Sequence, residues 1–285
     1  MKNLNKYLLL SIISLSIISC SEDSIPVAND VTLAFNNTFG ETTIVLGAAT
    51  SADATVNTST EEQVHHFEEL KYVISNIRLI NSEGIEFPYN TQNLDEGATV
   101  VNQAKTARLQ YVLNDIPTAD YTQIKFGLGV KTDLNTLNEE SFPNFYAEAG
   151  ANDTQMHWEW GTGYRFTKVE GFYGADNAEL SIHTGSTLDE DPNGGEEYVQ
   201  GVNAYRDITL DLTTNAKVGS SSPKITIKAD FNALLSGATN TIVLSSSNAI
   251  PSTHHAGNMV LIVDNIGGNG DTDIKGMFSI ESVEN

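Results

Sequence analysis

From Ile124 to Lys131 the chain alternates without a break: Ile124, Phe126, Leu128 and Val130 are apolar, and Lys125, Gly127, Gly129 and Lys131 lie between them. A period of two suits a strand with one buried face. It does not suit an amphipathic helix, whose apolar residues recur every three to four positions. The same pattern returns in Val31, Leu33 and Phe35, in Leu109, Tyr111 and Leu113, and in Ile225, Ile227, Ala229 and Phe231. Leu70 to Ile80 is the longest apolar run after residue 30, and its β-branched content predicts a strand buried on both faces for part of its length. Further strands are expected at 43–46, 85–89, 179–183, 208–212, 259–265 and 277–280, with residues 48–63 as a long loop. Short helical turns are expected within 133–149 and at 231–235, and Thr60-Glu61-Glu62-Gln63 could cap a short turn. Many short strands divided by Gly, Asn and Asp predict an all-β fold: an antiparallel β-sandwich or barrel with at most short helices.

The N-terminal end reads differently. Lys2 and Lys6 precede an apolar run from Tyr7 to Ile18, too short for a comfortable membrane span and suited to a secretion signal. Ile17-Ile18-Ser19-Cys20 resembles a lipobox, which implies cleavage before Cys20 and lipid on its sulfur. Cys20 is the one cysteine of the chain, so no disulfide can form within a monomer. Ser21-Glu22-Asp23-Ser24 resembles the export signal of surface lipoproteins and reads equally well as a solvated tether. The division expected is a signal peptide at 1–19, a lipidated tether at 20–30 and one β-domain at 31–285, held at the outer membrane. With 37 acidic against 15 basic residues, the net charge is −22. Such a surface repels nucleic acid and anionic headgroups and suits an extracytoplasmic domain that tolerates cations.

Both tryptophans lie in Met156-His157-Trp158-Glu159-Trp160-Gly161-Thr162-Gly163-Tyr164-Arg165-Phe166. In an extended chain Met156, Trp158 and Trp160 share one side and His157 and Glu159 the other. Two readings stand: an aromatic core ribbon, or a ribbon that places a tryptophan beside a metal. The six histidines are the pairs His65-His66 and His254-His255 and the single His157 and His183. Neutral imidazole is the commonest nitrogen ligand for copper or zinc, and a domain without cysteine has few other soft donors.

Several blocks, in order, resemble the MbnP-like family. Tyr72-Val73-Ile74-Ser75-Asn76-Ile77-Arg78-Leu79 looks like its YxxSNIxL strand. Tyr121 to Val130, with Asn135 after it, resembles its second block. Met156 to Gly171 is similar to its M-x-W-x-W-x-x-G-Y-x-F-x-x-x-E-G signature, and His183-Thr184-Gly185 to its H-x-G. His254 or His255, with Val263-Asp264-Asn265, resembles its C-terminal block. The resemblance spans about residues 30–285. It implies a β-rich fold and a mononuclear copper site built from histidines, as in methanobactin-partner and related surface copper proteins. It also implies that a partner dihaem peroxidase oxidises a tryptophan to kynurenine. Carried onto this chain, His183 and one of His254 and His255 are the first-choice ligands, with His65 or His66 as a possible addition. Trp158 is the first candidate for modification and Trp160 the second.

Asp189-Glu190-Asp191-Pro192-Asn193-Gly194 fits the first half of a calcium loop through Asp189, Asp191 and Asn193, although Gln200 stands at the twelfth position. A plain solvated acidic loop is the competing reading. No nucleophile elbow, phosphate loop, dinucleotide fingerprint or H-E-x-x-H occurs. Glu159 and Glu170 could be posed as a glycosidase pair; a two-residue period puts them on opposite faces if the strand is unbroken, and Gly161 and Gly163 leave that open. The expected function is therefore non-enzymatic: a lipid-anchored protein that captures or handles copper. The alternative is a surface β-domain that binds a protein or glycan without a transition metal.

Overall fold

The computed structural model describes residues 29–135, 139–150, 155–158, 163–190, 198–252, 255–269 and 275–285. The signal segment, Cys20 and most of the tether lie outside these, as do Glu159, Trp160, Asp191, Asn193 and His254.

The strands in the first half of the chain are β1 (Val31–Phe39), β2 (Thr42–Thr43), β3 (Asn57–Thr58), β4 (Val64–Asn81), β5 (Glu86–Tyr89), β6 (Thr99–Asn102), β7 (Gln110–Leu113) and β8 (Ala119–Leu128). Those that follow are β9 (Thr167–Tyr173), β10 (Ala178–Thr184), β11 (Leu188–Glu190), β12 (Tyr198–Gln200), β13 (Arg206–Val218), β14 (Lys224–Asp230) and β15 (Phe278–Glu284). Among the described residues four α-helical segments join them: α1 (Leu94–Gly97), α2 (Pro143–Ala149), α3 (Phe231–Leu235) and α4 (Ala256–Ile266).

The larger sheet runs β10-β9-β4-β8-β13, and β3, β5 and β6 pair along the length of β4. The smaller runs β15-β14-β1-β2, with β7 also on β1. The pair β1–β14 is parallel and the other pairs of these two sheets are antiparallel. The all-β expectation holds, in a mixed sandwich. Leu33, Ile74, Leu79, Ile124, Phe126, Ile225 and Ile227 meet between the sheets without solvent exposure.

The opposite face of the larger sheet is covered as well. Val73, Val130, Phe145, Met156, Tyr164, Phe166, Met259 and Val263 form a second apolar cluster there. That double burial explains why β4 is apolar on both sides. The Ser75-Asn76 step of β4 is a bulge where the register with β8 shifts. Ser75 Oγ donates to the Gly129 carbonyl at 2.6 Å. Asn76 takes a left-handed φ of 49° and its Nδ2 donates to Tyr205 Oη at 2.7 Å. The polar pair thus sits in an apolar strand because the bulge gives both side chains partners.

One expected strand is a helix. Residues 259–265 fall in α4, whose buried Met259, Ile262, Val263 and Ile266 recur at helical spacing while Leu261 is exposed. A short apolar run cannot be told apart by periodicity alone, and here packing on the second cluster decided. The helical turns expected at 133–149 and 231–235 are α2 and α3.

Candidate metal centre

The site is built on the hairpin of β9 and β10. Gly174 and Asn177, both at positive φ, bound its turn. From there the register pairs Tyr173 with Ala178, Glu170 with Ser181 and Lys168 with His183. Val169, Leu180 and Ile182 point into the core between the sheets, so Lys168, Glu170, Ser181 and His183 share the other face. The pairing of β9 with β4 brings Lys71 opposite Lys168 and Glu69 opposite Glu170.

Two rows of charge therefore cross three strands side by side. One holds Lys71, Lys168 and His183; the other holds Glu69, Glu170 and Ser181. Like charges directly opposite are unfavourable in a sheet, and the neighbouring row of opposite sign offsets this. Lys168, almost wholly buried, lies 2.7 Å from Glu69 Oε2 and 3.5 Å from Glu170 Oε1. Lys71 also pairs with Glu69. His183 Nε2 is 2.9 Å from Glu170 Oε1, and Ser181 Oγ is 3.3 Å from the same nitrogen. The His183 hydrogen bond, with Lys168 beside it, holds the Glu170 carboxyl down at about 2. Because Ser181 and Glu170 meet one nitrogen, the trio lacks the two-sided imidazole relay that activates a serine nucleophile.

Trp158 enters from the ribbon. Gly163, at φ +84°, turns the chain, and a Cβ there would lie 2.5 Å from Asn135 Oδ1, which accepts from the Tyr164 N–H at 2.8 Å. His157 and Tyr164 form a bridge pair, and Trp158 N donates to the Gly163 carbonyl. The buried indole is stacked by Arg165, whose guanidinium carbon is 4.8 Å from the ring centroid. It also packs against Gly185, two residues beyond His183. Residues two apart in an extended chain face the same way, so the indole lies on the side that His183 faces.

The chain leading to His255 runs along the same edge. Ser181 and His183 donate their backbone N–H groups to the carbonyls of Ala249 and Pro251, at 2.9 and 3.0 Å. Segment 249–251 thereby lies along the edge of β10. His255, exposed, follows four residues later as the N-cap of α4, and its N–H donates to the Ser252 carbonyl. His254 lies between, outside the described residues.

The other candidates lie elsewhere. His66 is level with Phe172 on β9, four residues along from Lys168. That is about 13 Å along the sheet from His183 and about 10 Å across it. His65 faces the core, stacked on Phe67 and tilted against Phe39. Neither of its ring nitrogens has a hydrogen-bond partner, and burial pushes the imidazole down to about 4. His157 is buried edge-on to Tyr146 and Tyr164. Of the candidate calcium ligands Asp189, Asp191 and Asn193, only Asp189 is described, exposed on β11 with its carboxylate close to Gly201. Among the described residues, no three His, Cys, Asp or Glu side chains converge as a metal site.

Lys168, Glu69 and Arg165 are not singled out by the sequence, and Glu170 is weighed there only as half of a glycosidase pair. The Gly174 to Asn177 turn held the signal for two of them. Counting back from it pairs Lys168 with His183 and Glu170 with Ser181.

Comparison with known proteins agrees with this architecture. No curated protein is detectably similar in sequence. Among solved structures, MbnP from Methylosinus trichosporium superposes with a TM-score of 0.57 at 14% identity. The match covers 89% of this chain and 98% of that one, a likeness of fold. The MbnP family model matches residues 28–255, most of the chain and all of the hairpin and tryptophan ribbon. The chain belongs to the MbnP family.

Proposed function

We propose that the protein captures copper at the cell envelope, binding it with His183 and one of His254 and His255 beside Trp158. The observation that carries the reading is the edge of β10. There the His183 backbone is hydrogen-bonded to Pro251, and the chain continues from Pro251 into the histidine pair within four residues. The donor chemistry fits: imidazole suits copper, and copper(I) accepts a small number of such ligands. Glu170, hydrogen-bonded to Nε2 of His183, is the kind of outer partner that metal-binding histidines carry. The strongly acidic surface favours the approach of cations. Copper is cargo in this reading, and the protein catalyses no turnover.

Lipid on Cys20 would hold the domain at the outer membrane. Oxidation of Trp158 or Trp160 to kynurenine by a dihaem peroxidase belongs to the same proposal and adds about 4 Da to the intact mass of protein from its native host. The deciding experiment is copper loading of the purified protein followed by metal analysis, repeated with His183→Ala and with His254 and His255 both replaced by alanine. One copper per chain, lost in each variant, is expected. Unchanged stoichiometry in His183→Ala would remove His183 from the site and the proposal with it.

A further inference from the structure

We propose that Glu170 is the positioning residue of this site and selects which nitrogen of His183 meets the metal. The inference rests on the reading that His183 is a ligand, but its physical basis lies in the sheet. An ionised carboxylate can only accept hydrogen bonds, so the 2.9 Å contact requires the proton of a neutral His183 to sit on Nε2. Ser181 Oγ, 3.3 Å from the same nitrogen, can share that N–H as a second acceptor. The lone pair of the neutral ring then resides on Nδ1, which is the atom offered to copper.

Glu170 is itself held in place. Lys168 lies 3.5 Å from its Oε1 and 2.7 Å from Glu69 Oε2, and Glu69 also pairs with Lys71. Lys168 is almost completely enclosed, so its ammonium group is tied to these carboxylates and not to bulk water. The acidic row of Glu69 and Glu170 thus stands beside a basic row whose third place is His183. A carboxylate behind a ligating histidine fixes the ring orientation and raises its basicity as a donor.

The first measurement needs no metal and no variant. Long-range proton–nitrogen correlation spectra of 15N-labelled, metal-free protein, at mildly alkaline pH, report which His183 nitrogen carries the proton. Nε2 protonated and Nδ1 bare is expected; the opposite tautomer overturns the proposal. The second uses Glu170→Gln, which keeps the shape and removes the charge. A mixture of tautomers is expected, together with a copper(I) affinity lower by about 10–100-fold, the usual effect of losing such a partner. Glu170→Asp should restore part of both. If Glu170→Gln binds copper(I) as tightly as the native chain while His183→Ala abolishes binding, the positioning role is refuted and the site stands. If His183→Ala leaves binding unchanged, the site itself is refuted, whatever the tautomer.

Discussion

The indole of Trp158 lies so close to the backbone of Gly185 that a methyl group at 185 would fall 2.6 Å from its Cζ3. Arg165 covers the same ring system at 4.8 Å, so the indole packs against both the guanidinium and Gly185. Gly185→Ala therefore has to displace the ring. We expect a loss of about 1–3 kcal/mol in urea denaturation, the usual cost of overfilling a packed site. The near-UV circular dichroism should change with it. Native stability and an unchanged spectrum would mean that the indole has room to move aside.

Lys168 is the centre of the charge rows. Replacing it with methionine keeps much of the volume but leaves Glu69 and Glu170 facing each other without their shared cation. Breaking a fully buried ion pair costs about 3–5 kcal/mol, and because both carboxylates keep some contact with solvent we expect about 2–3 kcal/mol. Equilibrium unfolding at neutral pH measures this. The double variant with Glu69→Gln should recover part of the loss.

His65 gives the fold an acid sensitivity. Its folded-state value near 4 lies below the 6.5 of an unfolded imidazole, because burial disfavours the charged ring. The unfolded chain thus binds the proton more readily than the folded one between these values. Stability is intact above about pH 6.5, falls as pH drops toward 4, and levels off for this group below that. The total from His65 is about 3 kcal/mol. In His65→Phe, which retains stacking on Phe67 and Phe39, the decline between pH 6.5 and 4 should flatten by that amount.

α4 supplies a contrast between adjacent residues. Ile262 is buried in the main core and Leu261 is exposed. Ile262→Ala should cost about 2–5 kcal/mol, as large-to-small core changes do. Leu261→Lys should stay within about 0.5 kcal/mol of the native chain, as exposed substitutions do. Thermal or urea unfolding of the two variants checks both.

Much of the strand framework could be read from alternation alone. Ile124, Phe126 and Leu128 are all without exposure, as their spacing requires. The doubly apolar Leu70 to Ile80 run correctly implied a strand covered on both sides. Residues 259–265 escaped the same reasoning. An unbroken apolar run carries no period, and its helical form depended on a second core assembled from residues as remote in sequence as Val73 and Val130. The tryptophan ribbon was visible as a motif, and its closeness to the H-x-G segment was not, because the Trp158–Gly185 contact depends on how the ribbon folds back over β10.

Local patterning by itself determined the class of fold, the strand faces and the family blocks, because side-chain alternation and turn residues act over a few positions. Tertiary structure alone decided which charges are neighbours. Lys168 meets Glu69 across 99 residues of chain, and His183 reaches Pro251 across 68. Such pairings follow from sheet order and register, which the hydrophobic effect selects for the whole domain at once and no single segment encodes.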